Sequence, residues 1–147
     1  MKEIENLVYV PSLDEITRQG DWIKNECNLI GFDMLSELAI KSVEARDIGY
    51  QAYSGYKVGA ALLDKSGVIT LGSNIEIASY SETGHAEEAA AKSAVLGGAI
   101  ERSGRKFIRA IAISHEGDSA PCGRCRQILT EFCDNALVVV TKTDGVI

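Results

Sequence analysis

The chain has 147 residues, a formal charge of −6, 46% apolar and 24% charged residues and only two prolines, which excludes a disordered segment and fits one domain with a real core. The acidic balance disfavours a nucleic-acid polyanion as the main partner and suits a small substrate instead. No apolar run reaches the roughly 18 residues of a membrane span, and the opening "MKEIENLVYVPSLDE" lacks a signal-peptide core, so the expectation is a cytoplasmic protein with no membrane partner, whose thiols stay reduced.

Residues 1–33 mix apolar and charged positions without a clean period and read as an N-terminal extension, with a short helix and with Trp22 and Ile23 packing it onto the body or a partner subunit. Residues 34–147 read as the main domain. "MLSELAIKSVEARDIGYQAY" sets Leu35, Leu38, Ala39, Val43 and Ile48 near helical spacing and predicts a helix ending at Ser54-Gly55. "YKVGAALLD" and "GVITLGSNIE" flank "DKSG", a hairpin in which Gly67 supplies the permissive backbone. "HAEEAAAKSAVLGG" predicts a helix of about three turns stopped by two glycines. A strand at "KFIRAIAIS", a helix at "CGRCRQILTEFC" and a strand at "ALVVVTK" complete the order. The pattern predicts an α/β fold with a mixed sheet flanked by helices.

Of four cysteines, Cys122 and Cys125 lie three apart in "APCGRCRQIL". Alone, such a pair serves redox couples, structural zinc and working metal centres alike. A second element narrows the choice: "HAE" at His85–Glu87 opens one helix, 33 residues follow Glu87, and Pro121-Cys122-Gly123-Arg124-Cys125 opens another. H-x-E followed by P-C-x-x-C is the established signature of zinc-dependent deaminases, and the chain matches it at every fixed position. The chemistry is coherent. One imidazole and two thiolates are good zinc ligands, and three ligands leave a tetrahedral position for water. The helix start helps hold the sulfurs as thiolates. Glu87, two residues from His85, lies beside the metal as a general acid and base.

"YSGYKVGAALL" at Tyr53–Leu63, "GSNIEIASYSETGHAE" at Gly72–Glu87 and "PCGRCRQIL" together resemble the small cytidine deaminases over about residues 38–141. The resemblance implies a three-layer α-β-α deaminase fold and one Zn²⁺ per subunit on His85, Cys122 and Cys125, with Glu87 as the proton shuttle. It implies that Asn74 and Glu76 hold the sugar hydroxyls, that Tyr56 lines the pyrimidine pocket and that the Ala86 N–H meets the base carbonyl. The implied reaction is hydrolytic: water attacks C4 of cytidine or deoxycytidine, Glu87 protonates N3 and then the departing amine, and ammonia leaves, a step of pyrimidine salvage. It also implies a homotetramer or homodimer.

Two departures from the family pattern stand out. Small members commonly carry cysteine at the position of His85 and arginine at that of Glu88; with a neutral imidazole the zinc site needs no compensating cation, so Glu88 is expected to turn to solvent and Glu88→Arg to be tolerated or mildly harmful. At the C-terminus family members continue past the last matched strand with an aromatic segment that helps close a neighbouring subunit's pocket, whereas this chain stops at "TKTDGVI". The expectation is either that the N-terminal extension replaces that wall or that the pocket is more open and the substrate differs. Rival readings are a deaminase of a cytosine-nucleoside antibiotic such as blasticidin S, a non-catalytic zinc-stabilised binding module, and an editing enzyme on RNA or DNA, which the charge disfavours. Cys27 and Cys133 read as small packed residues, His115 as a loop residue, and Arg102, Arg105, Lys106 and Arg109 as a solvated connection.

Overall fold

The computed structural model of the chain describes residues 16–117 and 120–142. Strands β1 (Gly59–Asp64), β2 (Ile69–Ser73), β3 (Ile108–His115) and β4 (Leu137–Lys142) form one sheet in the order β2-β1-β3-β4. β1 runs antiparallel to both β2 and β3, whereas β3 and β4 are parallel, so the sheet is mixed as expected. The β1–β2 connection turns at Gly67, whose φ of +92° is left-handed and suits glycine.

Alternation along the strands assigns each side chain to a face. Ala60, Leu62, Ile111 and Ile113 join Ala86, Ala90, Ala91 and Ala94 of helix α3 (Ala86–Leu96) in one core, closed further by Leu129 of α5 (Gly123–Phe132). Ala61, Leu63, Ala110, Ala112, Leu137 and Val139 meet Leu35 and Leu38 of α2 (Phe32–Ala45) on the other face. Both faces are covered, giving three layers. Leu62 and Ile111 are wholly buried, and burial of a side chain of that size contributes about 1.5–3 kcal/mol.

Three elements differ from the sequence reading. The expected short helix of the extension is a full one, α1 (Ile16–Ile30), whose Ile23, Cys27 and Ile30 pack onto the Leu35–Leu38 core, with Trp22 half-buried. α2 stops at Ala45 and tightens through a 3-10 turn at Arg46–Ile48, well before the predicted end at Ser54-Gly55. Tertiary bonds override the helical spacing there: Tyr50 N donates to Asn74 O at 3.1 Å and Glu76 N to Tyr50 O at 2.7 Å. A Cβ on Gly49 would collide with Gln51, Ser73 and the Asn74 carbonyl, so the chain turns where glycine allows it. A short α4 (Ala99–Ser103) follows the double glycine, entered through Gly98 at φ +85°.

The basic run is also more engaged than a solvated connection. Arg102 pairs with buried Asp64 at 2.9 Å, Arg109 with Glu26 at 3.6 Å, and Lys106 donates to the carbonyls of Thr130 and Cys133 at the end of α5. Cys27 and Cys133 are half-buried. Among the described residues no helix is long and apolar enough to cross a membrane. The extension before Ile16 and the departure at residues 143–147 lie outside the described residues.

Candidate active site

Two helix starts face each other at one end of the sheet. α3 begins at Ala86 with His85 as its extended N-cap, and it sits directly on β2 because residue 72 is glycine: a Cβ there would occupy the space of Ala86 O and Ala90 N. α5 begins at Gly123 with Cys122 as N-cap, its Sγ accepting from Cys125 N at 3.5 Å, and Arg126 N closes the first turn on Cys122 O at 2.9 Å. Helix–helix packing of α3 on α5 through the alanine core brings the two starts together.

His85 Nδ1 lies 3.4 Å from Cys122 Sγ and 3.4 Å from Cys125 Sγ, and the three donor atoms all fall within 4.8 Å of one another. Tetrahedral zinc with ordinary Zn–S and Zn–N bonds separates its sulfur and nitrogen ligands by about 3.6 Å. The donor set therefore fits Zn²⁺ in chemistry and spacing. Burial of Cys125, reinforced by the neighbouring Glu87 carboxylate, pushes its thiol far above the ordinary range. A bound cation would offset that burial and hold this sulfur as thiolate.

Glu87, 5% exposed, lines the same cleft without belonging to the donor group. The cleft has a volume of about 380 Å³, and Tyr56, Asn74 and Glu76 line it as well. Asn74 Oδ1 accepts from Gln51 Nε2 at 2.9 Å and Val58 N at 3.0 Å, and its Nδ2 donates to Tyr56 O at 2.8 Å. Glu76 accepts from Tyr53 N at 2.9 Å, Ser54 N at 3.0 Å and the Ser54 hydroxyl. The Ser54 hydroxyl first, then the backbone donors, hold the Glu76 carboxyl below the ordinary range. Tyr56 remains 42% exposed. Ala86 is buried, and its N–H belongs to the first helical turn, which no intrahelical carbonyl reaches. All the residues singled out from the sequence except Cys125 line this one cleft, and Cys125 stands behind Cys122 and His85.

Two residues depart from the sequence reading. His115 is the last residue of β3, 3% exposed and part of the cleft wall, its ring tilted against Tyr56 with centroids 6.4 Å apart and its Nδ1 accepting from Gly117 N at 2.9 Å. Counting by twos from Ile111 and Ile113 puts it on that face. Glu88 does not turn to solvent. It is buried, accepts from His85 N at 3.4 Å, and pairs with Lys92 at 2.6 Å and Arg124 at 2.9 Å. Burial alone would raise its carboxyl, but the Lys92, His85 and Arg124 hydrogen bonds together hold it below the ordinary range. The region does carry cations after all, Lys92 from α3 and Arg124 from α5.

The profile of the cytidine and deoxycytidylate deaminase zinc-binding region matches residues 34–141. The cytidine deaminase of Sporosarcina psychrophila is 41% identical over 112 residues, covering 76% of this chain and 79% of that protein. The cytidine deaminase of Halalkalibacterium halodurans is 40% identical over 95 residues, covering 63% and 67%. The crystal structure of cytidine deaminase from Burkholderia pseudomallei superposes with a TM-score of 0.68 at 37% identity, covering 75% of this chain and 86% of that one. Fold, motif and overlap agree: the chain belongs to the cytidine and deoxycytidylate deaminase family, whose shared region binds zinc.

Proposed function

We propose that the chain catalyses the zinc-dependent hydrolytic deamination of cytidine and deoxycytidine to uridine and deoxyuridine with release of ammonia. The observation that carries this reading is the meeting of Glu87 with the His85–Cys122–Cys125 donor group in one cleft that Asn74 and Glu76 also line. His85, Cys122 and Cys125 would hold one Zn²⁺ per subunit, which would supply Lewis acidity and bring the pKa of a water toward about 7. Glu87 takes a proton of the attacking water on a carboxylate oxygen as the water oxygen bonds to C4, and delivers it to N3. The same carboxylate carries the second proton to the exocyclic nitrogen, which leaves as ammonia while the C4 carbonyl forms.

The Ala86 N–H orients the base by donating to its carbonyl, and Tyr56 covers the ring. Asn74 retains one amide hydrogen beyond its bond to Tyr56 O, and Glu76 retains acceptor capacity beyond its three bonds, so both suit the sugar hydroxyls. Retained acceptor capacity at Glu76 favours a ribose over the altered sugar of an antibiotic. Incubation of zinc-loaded protein with cytidine, deoxycytidine and blasticidin S, followed by loss of the cytosine absorbance and by ammonia release, tests the reading. Turnover of the first two supports it; a zinc-loaded protein inert on both contradicts it.

A homotetramer or homodimer is part of the same proposal. Tyr50, Tyr53, Ile75 and Ile77 are exposed on segments that adjoin or bond Asn74 and Glu76, and Tyr80, on the rim of the cleft, is 85% exposed. A second copy would cover that rim, and light scattering that gives a monomer at micromolar concentration would refute it. Cytoplasmic localisation and a role in pyrimidine salvage fit a site built on two thiols, which needs a reducing compartment; fractionation that finds the protein outside the cytoplasm would overturn this placement.

A further inference from the structure

Glu88 follows the proton carrier directly, yet it takes no part in the cleft lining. Its side chain is 7% exposed. One of its oxygens accepts from His85 N at 3.4 Å and from Arg124 at 2.9 Å, and the other from Lys92 at 2.6 Å and again from Arg124 at 3.1 Å. The Arg124 guanidinium also reaches Thr83 O at 3.5 Å. Arg124 stands between Cys122 and Cys125, whereas Thr83, His85 and Glu88 belong to the other helix start. One ion pair thus ties the turn that offers the imidazole to the turn that offers the sulfurs.

Neutralising a buried carboxylate does not require this arrangement, because Lys92 already supplies an i,i+4 partner on the same helix. The bond across to α5 adds geometry. Resting on the zinc reading above, we propose that Glu88 and Arg124 form a clamp of positioning residues that sets the separation of His85 from Cys122 and Cys125, and through it the affinity for zinc. The clamp touches neither metal nor substrate. It also gives the acid after Glu87 a role in this chain: besides Lys92 on its own helix, it faces a cation from the other helix.

The test uses the full chain and measures zinc affinity by competition with a chelating dye, with the absorption of the cobalt-substituted protein as a second readout of ligand geometry. The variants are Arg124→Ala, Glu88→Gln and Lys92→Ala, each checked for folding by circular dichroism. Loss of a residue that orients metal ligands weakens binding about 10–100-fold, and that is the result expected for Arg124→Ala and Glu88→Gln, with Lys92→Ala within about threefold of wild type. Both clamp variants must shift in the same direction; a purely electrostatic action on the metal would move them oppositely, because the charges removed are opposite. Arg124 is 45% exposed, so its variant carries the test even if Glu88→Gln fails to fold. Unchanged affinity in Arg124→Ala, opposite shifts, or an equal loss in Lys92→Ala overturns the clamp. A wild-type chain that takes up no zinc overturns the zinc reading itself, a result seen before any variant is compared.

Discussion

At one end of the cleft, His85, Cys122 and Cys125 are brought together by two helix starts resting on buried alanines and on Gly72; at the other, Asn74 and Glu76 stand beside a loop whose shape they themselves maintain. The donor end rests on the core beneath it and on the Glu88–Arg124 pair that ties its two helix starts, so its functional atoms are held without being consumed. The end proposed for the nucleoside is different. Asn74 bonds Gln51, Tyr56 and Val58, and Glu76 bonds Tyr53 and Ser54, so each residue assigned to the sugar also fixes residues 51–58. Substitution at the first end should remove chemistry and spare the fold, whereas substitution at the second should disturb both.

The largest expected effect is at the donor end. Cys125→Ser removes one of three zinc ligands, and deamination should fall by at least about a thousandfold with loss of stoichiometric zinc. Melting of the metal-stripped protein should change little; an equal collapse of stability with and without zinc would break the contrast between the two ends. Glu76→Gln comes next. With its carbonyl oxygen kept for the Tyr53 and Ser54 N–H groups, its amide nitrogen cannot accept from the Ser54 hydroxyl, so kcat/KM for cytidine should drop about 10–100-fold, accompanied by a lower melting temperature and unchanged zinc content. A variant with lower kcat/KM and wild-type melting would show that Glu76 serves the substrate alone.

A third substitution sharpens the comparison from outside the site. Asp64 closes the far end of β1, accepting from Ser66 and Val68 and pairing with Arg102 at 2.9 Å. Burial alone would raise its carboxyl, but the Ser66 and Arg102 side chains, followed by the backbone donors, hold it below the ordinary range. A carboxylate with a lowered folded value contributes stability that is complete above its unfolded value of about 3.9 and is lost as pH falls through the lower folded one. Asp64→Asn should cost about 2 kcal/mol near neutrality, a figure discounted from that of fully buried pairs because Arg102 is partly exposed. The cost should shrink as acid protonates wild-type Asp64. Urea melts from neutral to acid pH check this, with kcat/KM per folded molecule expected to stay at the wild-type value.

The donor end is legible in the sequence because helix starts carry short-range signals: His85 and Glu87 two apart, Cys122 and Cys125 three apart, each pair at the start of a predicted helix. The four strands are legible from their apolar runs. What the sequence hides lies in long-range bonds. Val43 and Ile48 keep helical spacing, yet both are exposed, and it is the bonds from Tyr50 to Asn74 and Glu76 that end α2 early. Glu88 reads as a surface acid because its decisive partner, Arg124, is 36 residues away and visible only once α3 and α5 pack. His115 escapes for a simpler reason: the predicted strand stops at Ser114, one residue short of the real end of β3.

The central claim is that Glu87 moves the protons while the other three residues hold the metal. Zinc content and ammonia release measured side by side for wild type and Glu87→Gln test it most directly. Loss of a positioned general acid and base lowers turnover about 10²–10⁴-fold, so the variant should keep one zinc per chain and wild-type melting while turnover of cytidine falls by that factor. A Glu87→Gln protein that keeps its zinc and deaminates cytidine at the wild-type rate would contradict the account.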